Sequence, residues 1–140
     1  MQQLTPFHLA FPVTDLAATA AFFEDVLGCK RGREADTWID FDLFGHQLSL
    51  HKGRSMMAEG GTGAVDNTSV PMPHFGVVLA WDDWHALIDR LHNANVSFRI
   101  EPQMRFEGEP GEQGTFFVDA PGDVALEFKT FRDFECVFAS

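Results

Sequence analysis

His8-Leu9-Ala10-Phe11-Pro12-Val13 recurs 66 positions later as His74-Phe75-Gly76-Val77-Val78-Leu79. Each copy opens on histidine, has a small residue third, and places apolar residues second, fourth and sixth. Such alternation reads as a half-buried strand, and its return at a fixed offset reads as a repeated module. A helical stripe follows each copy: Leu16, Ala20, Phe23 and Leu27, then Trp84, Leu87, Ile88 and Leu91. Asp15 and either Asp82 or Asp83 are suited to cap the two helices, and Gly28 to end the first.

Strand-like runs come next, at 37–42 and 47–52 in the first half and at 97–100, 115–119 and 124–129 in the second. Residues 45–52 lie 77 positions before 122–129, and Asp42 and Asp119 share that offset. Each half therefore reads strand, helix, then two or three strands, in one α+β domain over 1–140. Module one spans about 1–53 and module two about 73–132. The stretch between them, about 54–72, has Gly60, Gly61, Gly63 and a Met56-Met57 pair, with Gly53, Pro71 and Pro73 close by, and reads as a linker or mobile loop. A second loop over 105–114 holds three glutamates and three glycines, a lid or a solvated connection.

The 140 residues suffice for one buried core, and 45% hydrophobic with 22% charged residues is a globular composition. A net charge of -11 disfavours nucleic acid and anionic membranes as partners. No apolar run approaches the roughly 20 residues of a membrane span, and the N-terminus carries no secretory pattern. Cys29 and Cys136 lie far apart and outside any Cys-x-x-Cys pair, so both read as reduced thiols of a cytoplasmic protein.

Alternation sorts the strand residues onto two faces. Phe7, Leu9, Phe11 and Val13 oppose His8, Ala10 and Pro12. Phe75, Val77 and Leu79 oppose His74, Gly76 and Val78, and Val124, Leu126 and Phe128 oppose Ala125, Glu127 and Lys129. Three times a bulky face, fit to pack on a helix, opposes a face with small residues and one metal-capable group. His8, His74 and Glu127 are thus candidate ligands for one divalent ion. Two imidazoles and a carboxylate leave coordination positions open for substrate and suit Lewis-acid chemistry. His51 falls with the same set, beside Gln47 and Ser49, as a further ligand, an acid–base group or cavity wall. His46 reads as structural, and His85 and His92 as solvated. Arg105, Phe106, Gln113 and Phe116, around the second loop, are candidates for substrate contact.

These residues resemble the vicinal oxygen chelate superfamily, the glyoxalase/bleomycin-resistance/dioxygenase proteins. The resemblance rests on His8 to Leu16 followed by Phe22-Phe23-Glu24-Asp25-Val26-Leu27-Gly28, on Pro73-His74-Phe75-Gly76-Val77, and on Phe117 to Glu127, similar to an aromatic, Asp-Pro-x-Gly, x-x-x-x-Glu signature with Ala120 inserted. It implies paired βαβββ modules, a mixed sheet curled around a metal-binding cavity with the helices outside, and metal ligands on the first and last strand of each module. Three of those positions are His8, His74 and Glu127. The fourth aligns at Leu50 without a gap, or at His51 after a one-residue shift. Glyoxalase-like relatives usually have glutamate there. Its absence makes the set more similar to extradiol dioxygenases, with iron(II) or manganese(II) favoured and His51 as the catalytic acid–base group. The single module pair and the lack of any tyrosine depart from that subgroup. A lyase or isomerase using zinc(II) or nickel(II), and a metal-free antibiotic-binding protein, are the other classes the resemblance implies. Relatives are commonly dimers, so a homodimer acting on a small molecule is expected.

Overall fold

The computed structural model describes residues 4–57, 62–65 and 68–139; part of the expected linker, residues 58–61 and 66–67, lies outside the described residues. The first half runs β1 (His8–Val13), α1 (Leu16–Ala21) continuing as a π-helical turn (Phe22–Val26), β2 (Lys30–Ala35), β3 (Trp38–Leu43) and β4 (His46–Lys52). A short hairpin, β5 (Thr62–Val65) and β6 (Thr68–Pro71), follows within the stretch expected to be a linker. The second half runs β7 (Val78–Leu79), α2 (Trp81–Asn93), β8 (Phe98–Arg105), β9 (Gln113–Ala120) and β10 (Val124–Phe131), and a 3-10 helix (Phe134–Phe138) closes the chain.

The two halves form separate four-stranded sheets of the same design, ordered β1-β4-β3-β2 and β7-β10-β9-β8. In each, the first strand runs parallel to the last and the other neighbours are antiparallel. A helix after the first strand is what lets the chain return to a parallel partner. This is the expected α+β repeat.

The bulky faces pack as alternation predicts, except at Phe7, which precedes β1 and is 64% exposed. Val13, Phe23, Phe41, Leu48 and Leu50 from the first half share one core with Trp84, Leu91, Phe116, Leu126 and Phe128 from the second. Fully burying each Leu or Phe contributes about 1.5–3 kcal/mol relative to exposure. Phe11 meets Phe75 at 4.9 Å between ring centres and Phe44 meets Phe128 at 5.7 Å, joining the halves through aromatic pairs.

Polar ties reinforce the join. The Arg90 guanidinium on α2 donates to the backbone carbonyls of Val26, at 2.6 Å, and Asp25, at 3.3 Å, at the end of the first helical segment, where carbonyls lack intrahelical partners. The buried Thr19 hydroxyl lies 2.6 Å from the carbonyls of both Asp15 and Pro121. That contact seats the β9–β10 turn on the start of α1. At the turn, Gly122 has φ +88°, and a Cβ there would stand 2.2 Å from the Thr19 hydroxyl.

Asp15 caps α1 as expected, accepting from the Ala18 N–H at 3.0 Å. Gly28, with φ +76°, follows the first helical segment. Neither Asp82 nor Asp83 caps α2. The helix starts earlier, with Ala80 at the N-cap, and both aspartates fall in the first turn, where their charge favours the helix dipole. β2 was not expected. Its sequence, Lys-Arg-Gly-Arg-Glu-Ala, has no apolar alternation; it is an exposed, charged edge strand with a bulge between Arg31 and Glu34. Both thiols are free. Among the described residues no helix is long and apolar enough to cross a membrane.

Candidate metal and substrate site

The second sheet presents its non-core face as a ladder of three rungs. Ile100, Phe117 and Glu127 are cross-strand neighbours on β8, β9 and β10; Gln103, Thr115 and Lys129 form the next rung; Arg105 and Gln113 the third. His74 stands beside the first rung, and with Val70 these side chains line a cavity of about 300 Å³.

Two contacts bring His74 to Glu127. The Phe75 N–H donates to the Ala125 carbonyl at 3.3 Å, and the Glu127 N–H donates to the Phe75 carbonyl at 2.9 Å, so the backbone just after His74 lies along β10. Gly76 permits this approach: a Cβ there would fall 1.5 Å from the Glu127 carbonyl oxygen. The His74 Nε2 then lies 3.2 Å from the Glu127 Oε1, and both side chains are about one-fifth exposed.

Each partner is held from behind. His74 Nδ1 is 2.7 Å from the Pro71 carbonyl, which can only accept, so Nδ1 carries a hydrogen. The Phe117 ring meets the imidazole edge-on at 5.0 Å. The Thr115 hydroxyl donates to Glu127 Oε2 at 2.5 Å. What remains is Nε2 facing Oε1. In neutral imidazole that nitrogen offers a lone pair, and a lone pair facing a carboxylate oxygen calls for a cation between them, a proton or a metal ion. The outer hydrogen bonds are those that orient histidine and carboxylate ligands in metal sites.

Among the described residues no third histidine, cysteine or carboxylate joins the pair into a metal-binding group. His8 lies on the first sheet, exposed, at the start of β1 and opposite Gln47 of β4. His51 is also exposed, opposite Pro12 of β1 and Trp38 of β3, and outside the cavity. Of the four candidates for substrate contact, Arg105 and Gln113 line the cavity. Phe116 does not: it points into the core, fully buried between Trp84, Phe98 and Phe128, because it alternates with the cavity-facing Thr115 and Phe117. Phe106 is about half exposed with φ 57°, outside the cavity, its ring 4.8 Å beneath the Arg105 guanidinium. Thr115 and Phe117 were not singled out from the sequence, although parity with Gln113 places them on the same face.

The strand register also fixes the position equivalent to Glu127. β1 pairs with β4 so that His8 faces Gln47, and β10 pairs with the His74 segment so that Phe75 faces Leu126. Matching His8 to His74 makes Ser49 the counterpart of Glu127, rather than Leu50 or His51. The β9–β10 turn, residues 121–123, is one residue longer than the β3–β4 turn, residues 44–45, and Ala120, paired with Val124, is the counterpart of Leu43 rather than an insertion. Leu50 belongs to the core, while the buried Ser49 bonds the carboxylate of Asp40.

A larger apolar groove, about 700 Å³, runs between Phe7, Leu9, Phe75, Val78, Phe134 and Phe138. Its histidine, His46, is committed to structure as expected, accepting from the Phe7 N–H at 2.9 Å. His85 and His92 are exposed on α2.

Residues 5–128 match the family model of the Glyoxalase/Bleomycin resistance protein/Dioxygenase superfamily. The structure is similar to that of a glyoxalase/bleomycin resistance protein/dioxygenase from Alicyclobacillus acidocaldarius, with 30% identity, a TM-score of 0.76, and coverage of 95% of this chain and 96% of that one. Two more distant structures share the fold. One is the genomically encoded fosfomycin resistance protein FosX from Listeria monocytogenes, with 14% identity, a TM-score of 0.66, and coverage of 98% and 99%. The other is lactoylglutathione lyase from Agrobacterium tumefaciens, with 13% identity, a TM-score of 0.61, and coverage of 93% and 94%. Comparison with curated proteins gives no match.

Proposed function

The chain belongs to the Glyoxalase/Bleomycin resistance protein/Dioxygenase superfamily, and from that premise we propose that it is a metal-dependent enzyme acting on a small substrate with two adjacent oxygen atoms. The observation that carries this is the 3.2 Å separation of His74 Nε2 from Glu127 Oε1 at one end of the cavity. Two donors bound at about 2.0–2.1 Å to one ion, at right-angled to tetrahedral geometry, stand about 3–3.4 Å apart.

The third ligand is His8 of a second copy. The face of the first sheet that carries His8, Ala10, Gln47, Ser49 and His51 lies opposite the core, and of these residues only Ser49 is buried. A homodimer that sets this face across from the His74–Glu127 cavity supplies two histidines and one carboxylate. With Ser49 at the position of a possible second glutamate, that set favours iron(II) or manganese(II) over zinc(II) or nickel(II). When bound, the ion would polarise the substrate's oxygen pair.

The chain's own groups do the rest. The Pro71 carbonyl keeps the Nε2 of His74 turned toward Glu127, and Thr115 fixes Glu127. His51, delivered with His8, is the group assigned to move a proton, and Phe117 and Val70 exclude water. The reaction this set fits best is extradiol-type ring cleavage. A lyase or isomerase reaction rests on the same dyad, with the Glu127 carboxylate as base, and needs no oxygen.

Mixing variants tests the shared site. His8→Ala and Glu127→Ala proteins, refolded together, regenerate one intact site per mixed dimer only if His8 acts across the interface. Recovered metal uptake by titration calorimetry is the expected result; no recovery would sink the shared site. Oxygen uptake with a panel of catechols on the iron(II) protein then separates the two chemistries, since hydrogen exchange from an α-hydroxy carbonyl compound without oxygen marks the lyase or isomerase. A wild-type protein that takes up no divalent ion would instead be a binding protein.

A further inference from the structure

We propose that the substrate carries, besides its metal-binding oxygens, an oxyanion held by Lys129 and Arg105. The inference deepens the reading above and rests on it for the coordinating end of the molecule.

The three-rung ladder places unlike chemistry at its two ends. The first rung holds Glu127 and His74. Lys129 follows Glu127 by two residues on β10 and Arg105 lies on the rung beyond, across from Gln113. Side chains on one face of a strand repeat about every 6.6–6.8 Å. The cations therefore stand one and two steps from the dyad, about 7 and 13 Å along the sheet.

The charge of this wall is the reverse of the chain's. The protein has 21 acidic and 10 basic residues, yet among the described residues the cavity lining holds two cations, Lys129 and Arg105, against one carboxylate, Glu127, which His74 and Thr115 already engage. Gln103 and Gln113 add amide donors to the same wall. A concave, partly apolar site lined by one sign of charge focuses the field on a ligand of opposite sign. Here it would also set that ligand apart from the acidic surface around it.

Both cations are steadied by aromatic rings. Lys129 Nζ lies 5.6 Å from the centre of the buried Phe131 ring, and Arg105 lies 4.8 Å over Phe106. Lys129 takes part in none of the ion pairs among the described residues. A cavity of about 300 Å³ is at the small end for ligand sites. The fit is a short molecule with paired oxygens at one end and a carboxylate, phosphate or phosphonate at the other.

Three catechols test this, alike except for the end of a two-carbon tail that is a carboxylate, a phosphonate or a neutral amide. Each is titrated calorimetrically into zinc(II)-loaded protein, where no oxygen chemistry occurs, and into metal-free protein. At least one charged probe should bind about tenfold tighter than the amide, or about 1.4 kcal/mol; the stronger of the two identifies the oxyanion class. Lys129→Met should abolish the preference, Lys129→Arg should keep it, and Arg105→Met should reduce it. Equal binding of charged and neutral probes, no binding of any probe, or a preference that survives both methionine variants would overturn the proposal. If the protein takes up no zinc(II) yet still prefers a charged probe, the metal reading fails while the oxyanion site stands. If it takes up zinc(II) but shows no charge preference, the metal reading stands and the oxyanion site falls.

Discussion

The two sheets share order, strand directions and a helix after the first strand, yet they use one equivalent position in opposite ways. In the second sheet Glu127 faces a cavity, bonded by Thr115 and set against His74. In the first, Ser49 takes that place and bonds Asp40, while His8, the counterpart of His74, is exposed. Ala10 stands where the second half has Gly76. A repeated backbone thus supplies two equivalent platforms, and a few side chains decide which of them sets a histidine against a carboxylate in a cavity and which does not.

The harshest test of that contrast is the close approach at Gly76. Gly76→Ala would push a methyl group into the Glu127 carbonyl, and we expect a loss of at least about 3 kcal/mol in urea unfolding. Ala10→Gly, at the equivalent place, should cost only about 0.5–1 kcal/mol. Similar losses would mean the halves are not asymmetric there.

Metal affinity sharpens the comparison next. Glu127→Ala should weaken divalent-ion binding by about 100-fold or more, beyond the range of outer-partner losses, while Ser49→Ala should leave it unchanged. An effect of Ser49→Ala as large as that of Glu127→Ala would place the ligand set elsewhere. Thr115→Val, which removes the hydrogen bond behind Glu127, should fall between them, at about 10–100-fold. Calorimetric titration of the three variants gives the order directly.

A last effect, confined to alkaline pH, concerns a thiol near the seam between the halves. Burial, with a smaller contribution from the Asp42 charge, pushes the Cys29 thiol up to about 12, while the charge of Arg90 opposes the rise. The folded state thus holds a proton that the unfolded chain releases near its ordinary value of 9.0. That contribution to stability is fully present below pH 9 and is lost as pH rises toward 12. Cys29→Ala should flatten this alkaline decline in thermal melts, and Cys136→Ala should leave it in place.

How much was legible depended on how local the signal was. Alternation in 8–13 and 124–129 separated the two faces of each strand, although only in the second does the face away from the core line a cavity, and the spacing of Leu16 to Leu27 gave the helix. Pro71 and Thr115 could be read only once the strands were paired, because their hydrogen bonds to His74 and Glu127 depend on it. Phe116 was misjudged by loop proximity when its parity already placed it in the core. β2 was missed because an edge strand guarded by charge has no apolar period to detect.

By itself the sequence determined the repeat, the faces of its strands and the residue types able to bind a metal, since periodicity follows from backbone geometry wherever a strand or helix forms. The tertiary structure decided the rest. Strand register made Ser49 rather than Leu50 or His51 the equivalent of Glu127, and the approach of Gly76 to β10 brought His74 within 3.2 Å of a carboxylate. It also kept His8 on the other sheet. Register and docking arise from contacts between residues distant in the chain, and no local pattern encodes them.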